Sequence, residues 1–281
     1  GLKGQVDSNI FIQTIDGMVP EDSLKEVIKK SKILKKEQNN CWINLLNELK
    51  KKNINVLNTN KISSSDKLWL KSYFLKEVFP LLTPVAVDPA HPFPFVPNLG
   101  LCLVLKFIHK VKKKNIRVVL PLSKGLSKFL RIKQSKNFIR TEDLIVLFIE
   151  RLFANYKLLS YGTFRIIRDS DIEFNDEAED LVTTFENQLK KRRFGSVVLL
   201  EISSSTPPDL RNMIIKSLNI KREFVIASKH ILDTVAVLDI IKSSPKFLKW
   251  KEYLPRFPER IKDAKDNYFA AIRKKDMIIH H

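Results

Sequence analysis

The stretch from Leu82 to Gly100 limits the fold of this chain more than any other, because Pro84, Pro89, Pro92, Pro94 and Pro97 all fall within it. Each proline fixes its own φ, removes a backbone donor and drives the preceding residue toward extended geometry. No helix can run through such a segment, and a central strand could not lose so many hydrogen bonds. A flexible linker would be rich in Gly and Ser, whereas this one carries Phe93 and Phe95, two side chains that call for burial. The segment therefore reads as a stiff seam that holds two domains at a set angle, with Trp69, His91, Phe93 and Phe95 expected at the junction. A Pro-rich surface loop is the alternative.

The periodicity changes across the seam. Before it, Pro20 with Glu21 and Asp22 opens a helix whose apolar residues Leu24, Val27, Leu34, Cys41, Leu45 and Leu49 recur at three- and four-residue steps, with Ser31 and Gln38 completing the stripe. A second helix runs from a Ser65-Asp66 cap to Phe79 and stops at Pro80. Two helices make a poor bundle, so a further helix upstream is expected. After the seam, 101–108 and 116–120 read as a strand pair, 164–167 and 197–202 as strands, and 224–226 as a short strand. They alternate with helices over 141–152, 176–191, 207–218 and 231–241, the third opened by Pro207-Pro208. The predicted fold is thus two-domain: an all-α helical bundle over 1–81, then an α+β domain with a mixed sheet and packed helices over 82–262.

A composition of 44% hydrophobic and 29% charged residues is that of a globular protein and excludes a disordered chain. No apolar run approaches the roughly 18 residues of a membrane span, and no secretory signal pattern opens the chain. Cys41 and Cys102 lie far apart, at expected core positions, which suits two buried thiols in a reducing cytoplasm rather than a disulfide or metal site. The net charge of +19 draws polyanions: nucleic acid, an anionic membrane surface or a phosphate polymer. Much of it sits on lysines in turns and on solvated faces, as at Lys50-Lys51-Lys52 and Lys112-Lys113-Lys114, where Lys enrichment alone accounts for it.

A specific resemblance rests on Leu82-Thr83-Pro84-x-Ala86-x-Asp88-Pro89-x-His91-Pro92-Phe93-Pro94-Phe95, ending in Asn98-Leu99. It is similar to the junction between the first and second domains of bacterial polyphosphate kinases. Gly1-Leu2-Lys3-Gly4-Gln5-Val6, Asp16-Gly17 and Cys41-Trp42 resemble the family upstream of the seam. Downstream, Arg168-Asp169-Ser170-Asp171-Ile172, Asp176-Glu177-Ala178-Glu179-Asp180-Leu181, Arg192-Arg193-Phe194-Gly195 and Pro207-Pro208-Asp209-Leu210-Arg211 follow in family order. Pro97 and Cys102 depart from the usual pattern. The resemblance implies the N-terminal and middle parts of an enzyme that moves the γ-phosphate of ATP, with Mg2+, onto inorganic polyphosphate through a phosphohistidine. It places that histidine in domains after His281, with 263–281 as the start of the connection to them, and the nucleobase contact before Gly1. No catalytic residue, metal site or cofactor is therefore expected within the chain, and the parent enzyme is expected to be a homo-oligomer.

What remains for this portion is scaffold, subunit contact and part of a basic channel wall. Lys190, Lys191, Arg192 and Arg193 are the candidate polyphosphate-binding residues, because Arg forks grip phosphate oxygens bidentately and a phosphate chain needs several in succession. The same four cations would equally serve to satisfy the last carbonyls of a helix before Gly195. The acidic groups at Asp169, Asp171, Asp176, Glu179 and Asp180 suit a turn and a helix start better than Mg2+. A stand-alone basic module for nucleic acid, or a separately encoded non-catalytic subunit, is the competing interpretation.

Overall fold

A computed structural model describes residues 2–7, 13, 17–88, 93–169, 195–253, 259–264 and 267–278. The chain divides into two compact units, 1–243 and 244–281. In the first, α1 (Leu2–Asp7) precedes α2 (Pro20–Lys51), which has Pro20 in its first turn with Glu21 and Asp22, and Lys50 and Lys51 in its last. β1 (Asn55–Val56) leads to α3 (Ser64–Tyr73), whose N-terminus is capped by Ser63 rather than Ser65: its hydroxyl accepts from the Asp66 amide at 3.1 Å. That helix continues through a π turn, Phe74–Val78, and a 3-10 turn, Phe79–Leu81, as Pro80 ends it.

Past the seam, β2 (Val85–Ala86), β3 (Leu101–His109), β4 (Asn115–Pro121), β7 (Tyr156–Arg168), β8 (Val197–Ser203) and β9 (Val225–Ser228) form a six-stranded sheet in the order β2-β4-β3-β7-β8-β9. The sheet is mixed, since β8 and β9 run parallel across α5 (Pro208–Ser217) while the other pairs are antiparallel. A smaller sheet, β1-β6-β5, joins β5 (Phe129–Arg131) and β6 (Asn137–Arg140) to β1, which pairs with β6 in parallel. α4 (Thr141–Phe148) and α6 (Val237–Ser243) complete this unit.

Successive side chains of a strand point to opposite faces, and β3 is apolar on both because both are covered. Leu103, Leu105 and Phe107, with Leu120 of β4, pack against Leu70, Phe74 and Val78 from the end of α3 and against Leu144 and Phe148 of α4. Cys102 and Val104, with Phe164 and Ile166 of β7, pack instead with Leu24 and Ile28 of α2 and Leu210 and Ile214 of α5. A third core gathers Trp42, Phe129, Phe138 and Ile240, with the rings of Trp42 and Phe129 5.7 Å apart. A helical N-terminal region followed by an α+β region is what the pattern predicted. Its helices bury their inner faces on the sheet.

The contact face of α2 differs from the expected stripe. Val27 (49%), Leu34 (60%) and Leu45 (40%) are exposed, as is Cys41, while Leu24, Ile28, Asn39 and Trp42 are buried. The reason is that the face against the sheet mixes apolar with polar residues. Lys35 reaches Glu201 at 2.8 Å, and Glu201, only 2% exposed, also holds Arg165, which in turn lies 3.4 Å from Asp233. Asn39 donates to Ser228 Oγ at 2.8 Å and accepts from the His230 amide at 3.0 Å. Cys102 is fully buried, and burial pushes its thiol up to about 12.

The second unit holds a 3-10 turn at Lys246–Leu248, α7 (Glu259–Asp263) and α8 (Tyr268–Lys274), the last capped by Asn267. Trp250 and Tyr253 are almost wholly exposed. Among the described residues no helix is long and apolar enough to cross a membrane.

Candidate functional site

The far end of β7 anchors the seam. Arg168 follows a bulge after Ile167, and its backbone amide donates to Asn98 Oδ1 at 2.9 Å. Its guanidinium donates through Nε to the Val96 carbonyl at 2.8 Å and through Nη1 to the Gly195 carbonyl at 2.7 Å, while stacking 4.7 Å from the centre of the Phe95 ring. Desolvation presses the guanidinium below its ordinary pKa. The Leu99 amide donates to the Ile166 carbonyl at 2.9 Å, and Asp169 bonds to Ser196 at the same distance. A Cβ on Gly195 would collide with the Asp169 carbonyl oxygen, so only glycine lets the two backbones approach this closely.

Phe93 packs on Phe164 with centroids 6.2 Å apart and belongs to the α2 side of the sheet. Phe95 is 44% exposed, with Arg168 over its ring, and is among the residues that line a cleft. Trp69 lies on the opposite side of the sheet, stacked on Tyr73 at 5.4 Å, so Trp69 and Phe93 belong to different cores and Phe95 to neither. His91 falls outside the described residues, as do Lys190, Lys191, Arg192 and Arg193 and the acidic positions from Asp171 to Asp180. Of the described histidines, His109 accepts through Nδ1 from the amides of Val111 and Lys112, closing the β3–β4 turn. His230 sits beside the third core, its amide bonded to Asn39.

The cleft beside Phe95 has a volume of about 1260 Å3. Its walls are α1, the N-terminal half of α2, residues 93–95, Arg168, residues 195–197 and the turn that follows α5. Lys25, Lys29 and Lys32 stand at i, i+4 and i+7 on α2 and so share one face, which the cleft receives. Lys3, Arg168 and Lys221 add three more cations, against the carboxylates of Asp7, Glu21 and Glu223. Lys3 donates to the Val197 carbonyl and lies 5.7 Å from the Phe224 ring centre. Lys25 pairs with Glu21 at 2.8 Å, and this hydrogen bond with its charge attraction lowers the Glu21 pKa and raises that of Lys25. Lys29 pairs with Glu26 at 3.2 Å, at the exposed surface. The cleft thus sets six cations against three carboxylates, beside Phe93 and Phe95. The α2 lysine row was visible in the sequence, but it reads there as the solvated side of a helix.

The family model for the polyphosphate kinase middle domain matches residues 65–240. A polyphosphate kinase of Erythrobacter litoralis is 36% identical over 282 aligned residues, spanning 100% of this chain and 39% of the relative. One from Aphanizomenon baltica is 32% identical over 314 aligned residues, covering 100% of this chain and 80% of its own length. The crystal structure of polyphosphate kinase from Porphyromonas gingivalis superimposes with a TM-score of 0.63 at 17% identity over 89% of this chain and 37% of that one, a likeness of fold. The chain thus spans about two fifths of the Erythrobacter relative. With the family model covering well over half of its residues, the chain belongs to the polyphosphate kinase family.

Proposed function

We propose that these 281 residues supply the helical front part and the middle domain of a polyphosphate kinase, a phosphotransferase that reversibly moves the ATP γ-phosphate onto inorganic polyphosphate. In this reading the phosphohistidine that relays the phosphoryl group lies in catalytic domains outside the chain. There the enzyme would bind ATP and the Mg2+ that neutralises its phosphates. The chain itself serves as scaffold, as subunit contact in a homo-oligomer of the cytoplasm and as part of a basic channel wall. The observation that carries this is the middle-domain match over residues 65–240. The excess of cations, net +19, supports a polyanionic ligand.

The test is transfer of radiolabel from γ-labelled ATP with Mg2+. The purified chain is expected to make no labelled polymer and to take no stable label, and label on any of its histidines would refute the assignment. The channel-wall role is tested by competition. Inorganic polyphosphate should displace DNA at equal phosphate concentration, and Arg192→Ala with Arg193→Ala should weaken polyphosphate binding more than Lys112→Ala with Lys113→Ala. Salt dependence alone cannot distinguish the two ligands, since both release counterions. DNA winning with sequence preference would favour a nucleic-acid module.

A further inference from the structure

The second unit keeps its largest side chains outside. Among its described residues Ile261 and Ala271 are the buried ones, while Phe247, Trp250 and Tyr253 stand at 74%, 99% and 83% exposure. Rings of this size left together in water mark a surface that something else covers. The three fall at three-residue steps in Lys246-Phe247-Leu248-Lys249-Trp250-Lys251-Glu252-Tyr253, where three lysines interleave with them against the one carboxylate of Glu252. That alternation selects the occupant. A dry protein interface over the rings would bury the ammonium groups between them, and lysine is depleted from interface cores for that reason. Single-stranded nucleic acid could stack on the rings, but Ile272 and Ile278, exposed in the same unit, offer a base no flat face. A bilayer surface takes both kinds of side chain. Trp and Tyr settle at headgroup level, aliphatic groups enter the acyl boundary, and lysine stems extend so that the ammonium stays with the lipid phosphates.

We infer that residues 246–253 form a membrane-surface anchor, which lays Phe247, Trp250 and Tyr253 into the headgroup region of an anionic bilayer with Lys246 and Lys251 on lipid phosphates. The segment lies on the surface rather than across it, since no helix among the described residues is long and apolar enough to span. The net charge of +19 adds a longer-range pull toward such a surface. The anchor does not depend on the phosphotransfer chemistry proposed above.

The experiment is sedimentation of the full 281-residue chain with sucrose-loaded vesicles, of phosphatidylcholine alone or of equal phosphatidylcholine and phosphatidylglycerol. Tryptophan emission is read on the same samples. Trp250 reports there, because Trp42 is 8% exposed and Trp69 packs on the first core, stacked on Tyr73. The mixed vesicles are expected to bind the chain at least about tenfold more tightly than the neutral ones, with a blue shift that Trp250→Phe abolishes. Phe247→Ser with Trp250→Ser should weaken binding by about tenfold or more. Lys246→Gln with Lys251→Gln should cost about fivefold for each lysine, and Lys112→Gln with Lys113→Gln, at the exposed β3–β4 turn, less than about twofold. All six positions are exposed, so unchanged melting curves are expected to accompany these losses. No sedimentation with either vesicle overturns the proposal and leaves the rings to a protein surface. Equal losses from the two lysine pairs, or wild-type binding by the serine pair, overturn it as diffuse charge. A blue shift on concentrating the lipid-free chain assigns the rings to a second copy, and a response to single-stranded DNA but not to vesicles assigns them to nucleic acid; either overturns it.

Discussion

Glu201→Gln tests whether α2 is held on the sheet by charge. The carboxylate is 2% exposed and sits between Lys35, with a side chain 13% exposed, and Arg165, at 12%. Glutamine keeps the shape and removes the charge. Arg165 would retain Asp233 at 3.4 Å, but Lys35 would keep only the Leu232 carbonyl at 3.2 Å and become a nearly buried ammonium without a counterion. Removing one partner of a buried pair costs about 3–5 kcal/mol. In a unit of this size each kcal/mol moves Tm by roughly 2–4 °C, so a fall of roughly 6–20 °C is expected in calorimetry or circular dichroism melts. Adding Lys35→Met should recover part of the loss, because the stranded cation is gone. A Tm within about 2 °C of wild type, or a double variant that loses the sum of the two single losses, would refute the reasoning.

Thiol titration at pH 8 should modify Cys41 alone in the native chain and both cysteines after denaturation, since burial pushes Cys102 up to about 12 and keeps it a protonated, inaccessible thiol. Gly195→Ala should lower the denaturant midpoint by the equivalent of about 1–3 kcal/mol, because the added methyl meets the backbone of Asp169 rather than a side chain that can turn away. Phe93→Ala and Trp69→Ala sit in different cores, on opposite faces of the sheet, and their losses should add within about 0.5 kcal/mol. A coupling well above that in the double-mutant cycle would restore a single aromatic junction.

The strongly patterned elements were legible in the sequence for physical reasons. β3 reads Leu-Cys-Leu-Val-Leu because both of its faces are covered, and α5 announces itself through Pro207-Pro208. β7 was read only over 164–167 although it extends over Tyr156–Arg168, because its first half alternates and passes through Ser160 and Gly162. β1, β5 and β6 are two to four residues long, too short for any period to register. The stripe on α2 was placed beside its true contact face because Lys35 and Asn39, polar by type, point inward to partners far along the chain. The same limit hid the cleft: its cations come from α1, α2, β7 and the turn after α5, and no local window contains them together.

The bond between Asn39 and Ser228 spans 189 positions of sequence, so α2 leaves the ribosome long before the strands that cover it. At about 5–20 residues per second, roughly 10–40 s separate the synthesis of the two partners. During that interval Leu24, Ile28 and Trp42 have no sheet to lie on, and an uninterrupted apolar ridge of this length would invite self-association. Lys35 and Asn39 break the ridge midway with groups that water satisfies until Glu201 and Ser228 arrive. The polar fastening of α2 thus doubles as its protection while the nascent chain waits to close.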